Sequence, residues 1–398
     1  MTKQTYTKDS FCPVCTSEHT HSLVQINDVP VFCNVLCSSQ EEALQVPKGD
    51  IHLSFCHQCG HVFNRVFDPN KLNYSEKYEN SLHYSPFFHE YAVSLAKKLV
   101  EKYQLHHKDV IDIGCGQGEF LNLLCQLGES KGIGFDPSYE KDRPNKRFQN
   151  IAQIIQDYYS EKYAAYPADF IACRHVLEHI QSPRSFLGII HRAIGTREDP
   201  ILFFEVPNAV YTLKNFGIWD LIYEHCGYFT KSSLSHLFRV CNFHPHHLEE
   251  AFGGQYLCIE ASLSSGSSEL VDGGKKYLDE LKTMVERFPI NFQQKVRQWK
   301  EKIREFEHKH ENAIVWSAGS KGVMFLNMVD QNLWIDSVVD INPNKHGMFV
   351  SGTGHKIFSP DIIKHKKIDK VIIMNSIYKE EIQTMLKEYG LECEILLA

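Results

Sequence analysis

Apolar and polar positions follow two different periods along the chain, and these periods predict most of its helices and strands. In PFFHEYAVSLAKKLVEKY, residues 86–103, apolar residues recur at helical spacing, and Pro86 suits a first helical turn. Short apolar runs in DVIDIG, KGIGFD, ADFIACRH and ILFFEVP indicate strands, with helical stretches such as EFLNLLCQL between them. Strands that alternate with helices in this way predict a mostly parallel sheet.

The last third of the chain repeats this alternation. After the turn-like segment SSGSS at 264–268, YLDELKTMVERF and NFQQKVRQWKEKIREFEHKHEN predict two charged amphipathic helices separated by Pro289. A second α/β unit is then predicted from NAIVWSAGSKGVMFLNM through WIDSVVDINP to KVIIMNS. We therefore expect an α/β protein with a small lobe over 1–85, a central Rossmann-like domain over 86–265, and a helical linker with a second Rossmann-like domain over 266–398.

Composition and charge restrict the class of partner. Hydrophobic residues make up 43% of the chain and charged residues 23%, which is typical of a soluble globular protein. The net charge of −7 gives no overall field that favours nucleic acid or an anionic membrane, so the expected partner is a small molecule. Without a signal-like apolar start, or the roughly 20 apolar residues that span a bilayer, we expect a cytoplasmic protein. The oligomeric state stays open, and a monomer is compatible with the sequence.

Cysteine spacing near the amino terminus predicts a metal site. The motifs CPVC and CHQC contain Cys12, Cys15, Cys56 and Cys59. Four thiolates in two such pairs match the closed tetrahedral shell of structural zinc, with free thiols or a redox pair as the alternatives. Four isolated cysteines in apolar runs, Cys125, Cys173, Cys241 and Cys258, are expected to be small buried apolar residues, and Cys33 and Cys37 stay unassigned.

A glycine-rich loop follows the first predicted strand of the central domain. In DIGCGQG, Gly114, Gly116 and Gly118 allow a sharp turn and a close approach of the backbone to a ligand. A glycine pattern alone also suits a dinucleotide or a simple tight turn. Two carboxylates narrow the choice, because Asp112 at the strand end suits the ammonium group of a methionine moiety, and Asp136 after the next strand suits two ribose hydroxyls.

A third carboxylate, Asp157 in QDYYS, is a candidate for contact with the adenine amino group. The alternatives are helix capping for Asp136, which precedes Pro137, and a purely structural role for Asp157. Over residues 110–210 the chain resembles the class I methyltransferases, in which a glycine loop, a ribose acid and an adenine-side acid occur in this order. The resemblance implies S-adenosylmethionine as the cofactor.

Candidate catalytic residues follow the later strands of the same domain. His179 in HVLEHI and Glu224 and His225 in YEHCGYFT are expected to meet at the carboxyl ends of the strands, provided that the chain turns at Glu224. A histidine that titrates near neutrality suits a general base, and an adjacent glutamate can orient it. Buried structural histidines are the alternative. Thr230 is predicted to cap a helix, and Tyr78 to close over the substrate.

The whole chain resembles the C-methyltransferases of deoxysugar biosynthesis. The motifs that carry the resemblance are the two CxxC pairs, the Glu-His before Tyr-Phe, GGQ at 253–255, SAGSKG at 317–322 and DINPNKHGMFVSGTGHKIFSP at 340–360. The family has a zinc-binding lobe, a methyltransferase domain and a carboxyl-terminal Rossmann-like domain. Ile222 and Tyr223 differ from the Tyr-His that the family usually carries there.

The resemblance implies a reaction and roles for the candidate residues. A base removes a proton beside the ketone of a nucleotide-linked sugar, and the enolate attacks the sulfonium methyl group. By resemblance, His225 is the base, Glu224 its partner, and Tyr78 and His179 act on the enolate or position the sugar. The carboxyl-terminal domain would help to hold the nucleotide sugar, and Lys321 at a helix start could contact its phosphates. Methylation of oxygen or nitrogen, and a non-catalytic binding protein, remain the competing hypotheses.

Overall fold

The computed structural model divides the chain into three parts, each with its own β-sheet. The described residues are 11–72, 77–142, 151–195, 200–264, 274–330, 333–335 and 337–398. Over these residues the sheets contain four, seven and five strands. The predicted α/β fold class is confirmed, with a small amino-terminal lobe and two Rossmann-like units. Apart from its first residue, the turn predicted at 264–268 lies outside the described residues.

The amino-terminal lobe is built on an antiparallel sheet that the sequence did not predict. Its elements are β1 (Thr20–Pro30), α1 (Gln40–Leu44), β2 (Lys48–Cys56) and β3 (Val62–Asn64). The pairing of β1 with β2 shifts register twice. Such bulges interrupt the alternation of apolar and polar residues by which a strand is recognised in sequence. The free side of β3 pairs with the central domain at Gly227–Tyr228.

The central domain contains the predicted alternation of strands and helices. Its elements are α2 (Pro86–Tyr103), β4 (Asp109–Ile113), α3 (Glu119–Gly128), β5 (Lys131–Phe135), β6 (Gln153–Ile155), β7 (Phe170–Arg174), α4 (Pro183–Ile194), β8 (Ile201–Pro207), α5 (Ala209–Asn215), β9 (Gly227–Tyr228), α6 (Lys231–Val240), β10 (His244–Ala251) and β11 (Tyr256–Ser262). The prediction for α2 is confirmed at both ends, because the Ser85 side chain caps its start and Gln104 adopts a left-handed conformation at its end.

The strand order of this sheet creates a ligand-binding edge. The order is β10-β11-β8-β7-β4-β5-β6, and β4 to β8 run parallel, whereas β11 and β10 are antiparallel additions. The chain leaves β4 on one side toward β5 and later returns on the other side as β7. At such a reversal the loops after adjacent strands separate, so a crevice opens at their carboxyl ends.

The two charged helices predicted around Pro289 form one continuous helix, α7 (Gly274–Lys309). The expected break was wrong. Proline removes one backbone hydrogen bond and costs about 3 kcal/mol in a helix interior. The helix nevertheless continues because its buried face does, with apolar side chains packed into the same core on both sides of the proline: Leu281, Val285, Phe288, Phe292, Trp299, Ile303 and Phe306.

The carboxyl-terminal domain is a second, fully parallel sheet. Its elements are β12 (Ala313–Trp316), α8 (Ser320–Val329), β13 (Ser337–Val339), β14 (Ile357–Phe358), β15 (Lys370–Ile373), α9 (Lys379–Glu388) and β16 (Glu394–Leu397). The order β14-β13-β12-β15-β16 again places a chain reversal at its first strand, β12. One apolar core joins α7 and α8 to the strands of the amino-terminal lobe.

Polar contacts also join the central and carboxyl-terminal domains. The side-chain amides of Gln255 and Asn375 exchange two hydrogen bonds of 3.1 and 2.9 Å. Glu381 accepts hydrogen bonds from the Ser85 hydroxyl at 2.7 Å and the Phe87 backbone N–H at 3.0 Å, at the start of α2. These contacts fix the loops of the two sheets against each other. Among the helices of the described ranges, none is long and apolar enough to cross a bilayer.

Candidate functional site

A cavity of about 280 Å³ lies where the three parts of the protein meet. The amino-terminal lobe contributes Asn34, the central domain contributes His179 and His225, and the carboxyl-terminal domain contributes Lys321 and Lys345. The cavity faces the carboxyl ends of the strands in both Rossmann-like sheets. Because side chains from separate domains converge on it, this cavity is the candidate active site.

The glycine loop between β4 and α3 lies directly behind this cavity. Gly114, Gly116 and Gly118 have φ angles of 72°, 56° and 88°, a region that favours glycine. A Cβ atom at Gly114 would lie 2.1 Å from Cγ2 of Val176. Val176 therefore packs against the glycine loop, and its neighbour His175 lines the cavity. A ligand on the glycine loop and a ligand in the cavity would thus be adjacent.

Asp112 and Asp136 lie on opposite sides of the glycine loop. Asp136 accepts a hydrogen bond from the Gly116 backbone N–H at 2.8 Å, and its other oxygen accepts two from Ser138, so it is bound to the loop itself. Asp112 is buried at the end of β4, and this burial raises the pKa of its carboxyl to about 7. A cationic ligand group at Asp112 would favour the ionised form.

Asp157 lies apart from this pair, after β6. One of its oxygens accepts hydrogen bonds from Lys162 and from the Tyr163 hydroxyl, the latter at 2.5 Å. These donors lower the pKa of Asp157 to about 2. The carboxylate is thus engaged locally, and contact with an adenine amino group stays a prediction.

The two candidate histidines face each other in the cavity. The ring centroids of His179 and His225 are 4.8 Å apart, and the rings are nearly perpendicular. His179 ends a short helical turn after β7, and His225 follows the turn at Tyr223 and Glu224, as the sequence predicted. Burial lowers the pKa of His225 well below its ordinary value, so its imidazole is neutral near neutral pH.

The Glu224 carboxylate is in contact with the amino-terminal lobe. Its Oε2 atom accepts a hydrogen bond from the Cys33 backbone N–H at 2.8 Å. Burial raises the pKa of Glu224, whereas the charge of His179 and the nearby Tyr78 hydroxyl lower the pKa of the same carboxyl. The structure thus joins Glu224 to Tyr78 and the amino-terminal lobe, whereas the sequence reasoning made it the partner of His225.

A buried network of charged residues, which sequence reasoning missed, adjoins the cavity through His175 and Glu178. Glu205, at the end of β8, accepts two hydrogen bonds from Arg174, of 3.0 and 2.7 Å, and one from Tyr91. His175 lies 2.9 Å from Glu205 and 3.7 Å from Glu178, in a left-handed conformation with φ 55°. Burial lowers the pKa of His175, but the two carboxylates outweigh it and raise the pKa to about 9. The imidazole of His175 is therefore protonated and positively charged near neutral pH.

The four cysteines of the CxxC motifs come together in the amino-terminal lobe. The Cys12 and Cys59 sulfurs are 3.6 Å apart, those of Cys15 and Cys56 are 3.4 Å apart, and all four lie within 4.8 Å of one another. Ligands at about 2.3 Å from one tetrahedral zinc ion have closely similar separations. The four sulfurs fit a single zinc ion. His57 is turned toward the His21 ring, with a nitrogen separation of 2.8 Å.

The carboxyl-terminal wall of the cavity carries two lysines. Lys321, in the first turn of α8, lies 2.8 Å from Asp220 of the central domain. Lys345 is buried, donates to the Ala318 backbone carbonyl at 3.0 Å and lies 3.7 Å from Asp340. Sequence reasoning found Lys321 by its glycine loop, whereas Lys345 lies in the segment 340–360, which carried the family resemblance but from which no residue was assigned to the site.

The predicted cap at Thr230 is confirmed. Its side chain accepts a hydrogen bond from the Ser233 backbone N–H at 3.2 Å at the start of α6, in a reciprocal capping box. The Thr230 hydroxyl also donates to the Gly60 backbone carbonyl at 3.3 Å, next to Cys59. This cap therefore connects α6 to the cysteine cluster.

Comparison with known proteins agrees with this architecture. Residues 87–248 match the family model "Methyltransferase domain", and residues 277–393 match the model "C-methyltransferase C-terminal domain". The chain is 26% identical over 269 residues to the C-methyltransferase NovU of Streptomyces niveus, covering 63% of this chain and 60% of that protein. It is 24% identical over 102 residues to the mitochondrial ubiquinone biosynthesis O-methyltransferase of Dictyostelium discoideum, covering 22% and 32% of the two chains.

Among solved structures, one match is the magnesium protoporphyrin IX methyltransferase of Synechocystis PCC 6803 with bound SAH. The identity is 17%, the TM-score is 0.34, and the match covers 44% of this chain and 84% of that one. The methyltransferase model matches the central domain, and the C-methyltransferase model matches the carboxyl-terminal domain that follows it in the chain. Over both Rossmann-like domains the chain is therefore similar to C-methyltransferases that use S-adenosylmethionine, and it spans less than two thirds of the length of the curated C-methyltransferase it matches.

Proposed function

We propose that this protein methylates a carbon atom beside the ketone of a nucleotide-activated deoxysugar. The observation that carries the proposal is the pair of facing imidazoles, His179 and His225, in a cavity bounded by both Rossmann-like units. Val176, which packs against Gly114 of the glycine loop, precedes His179 by three residues. A methyl donor on the loop and an acceptor in the cavity would therefore be neighbours.

The proposed cofactor site consists of the glycine loop with Asp112 and Asp136. Asp112 would hold the ammonium group of the methionine moiety, and Asp136 the ribose hydroxyls, for which its bonds to Ser138 would have to loosen. Asp157 is assigned to the adenine side. S-adenosylmethionine, when bound, supplies the electrophilic methyl group that the substrate carbon attacks.

In the proposed reaction His225 removes the proton from the carbon beside the ketone. Its neutral imidazole has a lone pair available to accept that proton. A base of low pKa is effective only when the resulting enolate is strongly stabilised. Tyr78 and His179 line the same cavity, and each would donate a hydrogen bond to the enolate oxygen, for which the Tyr78 hydroxyl would have to turn its one proton away from Glu224. Glu224 would act through Tyr78, and so position that hydroxyl.

The carboxyl-terminal wall is proposed to hold the nucleotide. Lys321 and Lys345 contribute two ammonium groups to a cavity that is otherwise lined by both polar and apolar side chains. Helix α8 begins at Ser320, next to Lys321. Lysines and the amino-terminal end of a helix suit a diphosphate. Asp220 would release Lys321 when the substrate enters.

A structural zinc ion is proposed for Cys12, Cys15, Cys56 and Cys59. This ion would fix the lobe that brings the Cys33 backbone N–H to Glu224 and Asn34 to the cavity. Four thiolates leave no open position on the ion, so its expected role is in folding.

Hydrogen exchange with deuterated solvent tests the proposal. The protein is incubated with S-adenosylhomocysteine and a panel of nucleotide keto sugars, and deuterium beside the ketone is measured by NMR. We expect exchange in the wild type, loss of exchange in His225→Ala, and no change in His308→Ala, a control at an exposed histidine. Exchange that persists in His225→Ala would remove His225 as the base. NMR of the methylated product locates the new methyl group, and a group on oxygen or nitrogen would contradict C-methylation.

A further inference from the structure

Three metal-ligating side chains, outside the cysteine cluster, converge in the cavity. Glu178, His179 and His225 each offer a ligand atom, and these three atoms lie within 4.8 Å of one another. Two of the residues belong to the short helical turn after β7, and the third comes from the turn after Ile222. Tertiary structure thus brings His225 to the adjacent residues Glu178 and His179, and these three residues are here termed the His-Glu cluster.

The Glu178 carboxylate is in an environment that calls for a further partner. The residue is 1% exposed, and its Oε2 atom is buried without a hydrogen-bond partner among the described residues. The other oxygen lies 3.7 Å from Nδ1 of His175. A buried carboxylate oxygen that lacks a hydrogen bond is destabilising by about 1 to 3 kcal/mol. A cation between this oxygen and the two imidazoles would satisfy it.

The donor set identifies the class of ion. Two imidazole nitrogens and one carboxylate oxygen suit borderline transition-metal ions, whereas Mg²⁺ and Ca²⁺ prefer oxygen donors. Histidine and carboxylate ligands bind Zn²⁺ at about 2.0 to 2.2 Å. Small side-chain rotations, with atoms moving by about 1 Å, would bring the three donors to such distances. The remaining coordination positions would face the cavity, and water would fill them.

We propose that the His-Glu cluster binds a divalent transition-metal ion such as Zn²⁺ or Co²⁺, and that this ion inhibits methyl transfer. The inhibition rests on the proposed function, because it requires His225 to be the base; the binding does not. A nitrogen lone pair that coordinates an ion cannot accept a proton from the substrate. The bound ion would also occupy the space between His179 and His225 where the reacting carbon must enter.

Cobalt titration tests the binding independently of any substrate. Co²⁺ is added to protein whose cysteine cluster already holds Zn²⁺, and its visible absorption is followed. We expect one further equivalent of Co²⁺, with the weak bands of nitrogen and oxygen ligands and without intense thiolate-to-cobalt charge transfer. Glu178→Gln and His225→Gln should each weaken this binding by at least about tenfold. Glu161→Gln, at a surface carboxylate paired with Arg192, is the matched control and should bind like the wild type.

Methyl transfer with and without added Zn²⁺ tests the inhibition. We expect wild-type turnover to fall as Zn²⁺ is added and to recover with a weak chelator that leaves the cysteine cluster loaded. Absence of a further Co²⁺ equivalent, or equal Co²⁺ affinity in the wild type and both variants, would overturn the site. Faster turnover with Zn²⁺ would overturn the inhibition. A protein that binds Co²⁺ at the cluster but exchanges no substrate proton would remove the proposed function and the inhibition, and would support the site.

Discussion

The two Rossmann-like units of this protein share one loop geometry but differ in charge. In the central unit, Asp136 accepts hydrogen bonds from the Gly116 backbone N–H at 2.8 Å and from the N–H two residues after itself at 2.8 Å. In the carboxyl-terminal unit, Asp340 accepts from the Ala318 backbone N–H at 2.8 Å and from that of Asn342 at 2.9 Å. The acid after the second strand holds the loop after the first strand in both units.

The groups around these loops are different. Asp112 is buried at the strand end of the central unit, whereas Lys321 and Lys345 lie around the second loop, with Lys345 3.7 Å from Asp340. A carboxylate at the strand end favours a cationic ligand group, and two lysines favour an anionic one. One backbone design can thus carry groups of opposite charge around its loop.

Substitution of one glycine in each Rossmann-like unit should give the largest difference in cofactor affinity between two variants. In Gly114→Ala the new Cβ would meet Val176 at 2.1 Å, at a φ angle of 72°. We expect S-adenosylhomocysteine affinity to fall by about 100-fold or more by calorimetry, because strain and displacement of Val176 together reach a few kcal/mol. In Gly322→Ala the Cβ would lie 2.0 Å from the Ser317 carbonyl, and cofactor affinity should be retained. Equal losses in both variants would show that the units are not independent.

Substitution of the paired acids should have the next largest effect. Asp136→Asn should weaken S-adenosylhomocysteine by about tenfold, since it removes a charge from two proposed ribose hydrogen bonds. Asp340→Asn should instead change the KM for the nucleotide sugar. The measurement is calorimetry for the cofactor and steady-state kinetics for the sugar. Weaker cofactor binding in Asp340→Asn would contradict the assignment of one ligand to each unit.

Cofactor affinity should depend on pH through Asp112. In the free protein burial raises the pKa of this carboxyl to about 7, so the group is mostly neutral below that pH and ionised above it. Binding of an ammonium group requires the ionised form. We therefore expect affinity for S-adenosylhomocysteine to be several-fold to about tenfold weaker at about pH 6 than at about pH 8. Calorimetry on Asp112→Asn should show weaker binding with little pH dependence. If the affinity of this variant changes with pH as much as that of the wild type, the titration belongs to another group.

Lys321→Met should give the smallest effect of the series. The ammonium group is already paired with Asp220 at 2.8 Å and is partly exposed, so its net contribution to anion binding is modest. We expect the KM for the nucleotide sugar to rise about threefold to tenfold, an effect that added salt should reduce, while cofactor affinity stays constant. A KM that does not change would contradict phosphate binding by Lys321.

Much of the central fold could be predicted from the sequence because its signals are local. The limits of α2 follow from helical spacing and Pro86, and the glycine loop follows from residues that tolerate positive φ. The turn at Glu224 was inferred because adjacent side chains on a strand point apart, whereas Glu224 and His225 were expected to reach the same crevice. Each inference depends on residues within a few positions of one another.

The remaining contacts depend on residues that are distant in sequence. The Cys33 backbone N–H reaches Glu224 across 191 positions, and Arg174 reaches Glu205 across 31. A backbone N–H carries no residue-specific signal, so its partner could not be read from side-chain types. The predicted helix break at Pro289 was wrong for a related reason. The local preference of proline to break a helix was outweighed by packing of the helix on both sides of it.

The bond between Cys33 and Glu224 also sets an order of assembly during synthesis. The lobe leaves the ribosome first, with the Cys33 N–H and the open edge of β3 still lacking partners. Glu224 emerges 191 residues after Cys33, and Gly227–Tyr228 emerge about 165 residues after β3, so the delay is roughly eight to forty seconds at bacterial and eukaryotic elongation rates. During that interval the lobe presents an exposed strand edge. The newborn chain is therefore most open to edge-to-edge association before its active site exists, and closing that site and covering that edge are one event.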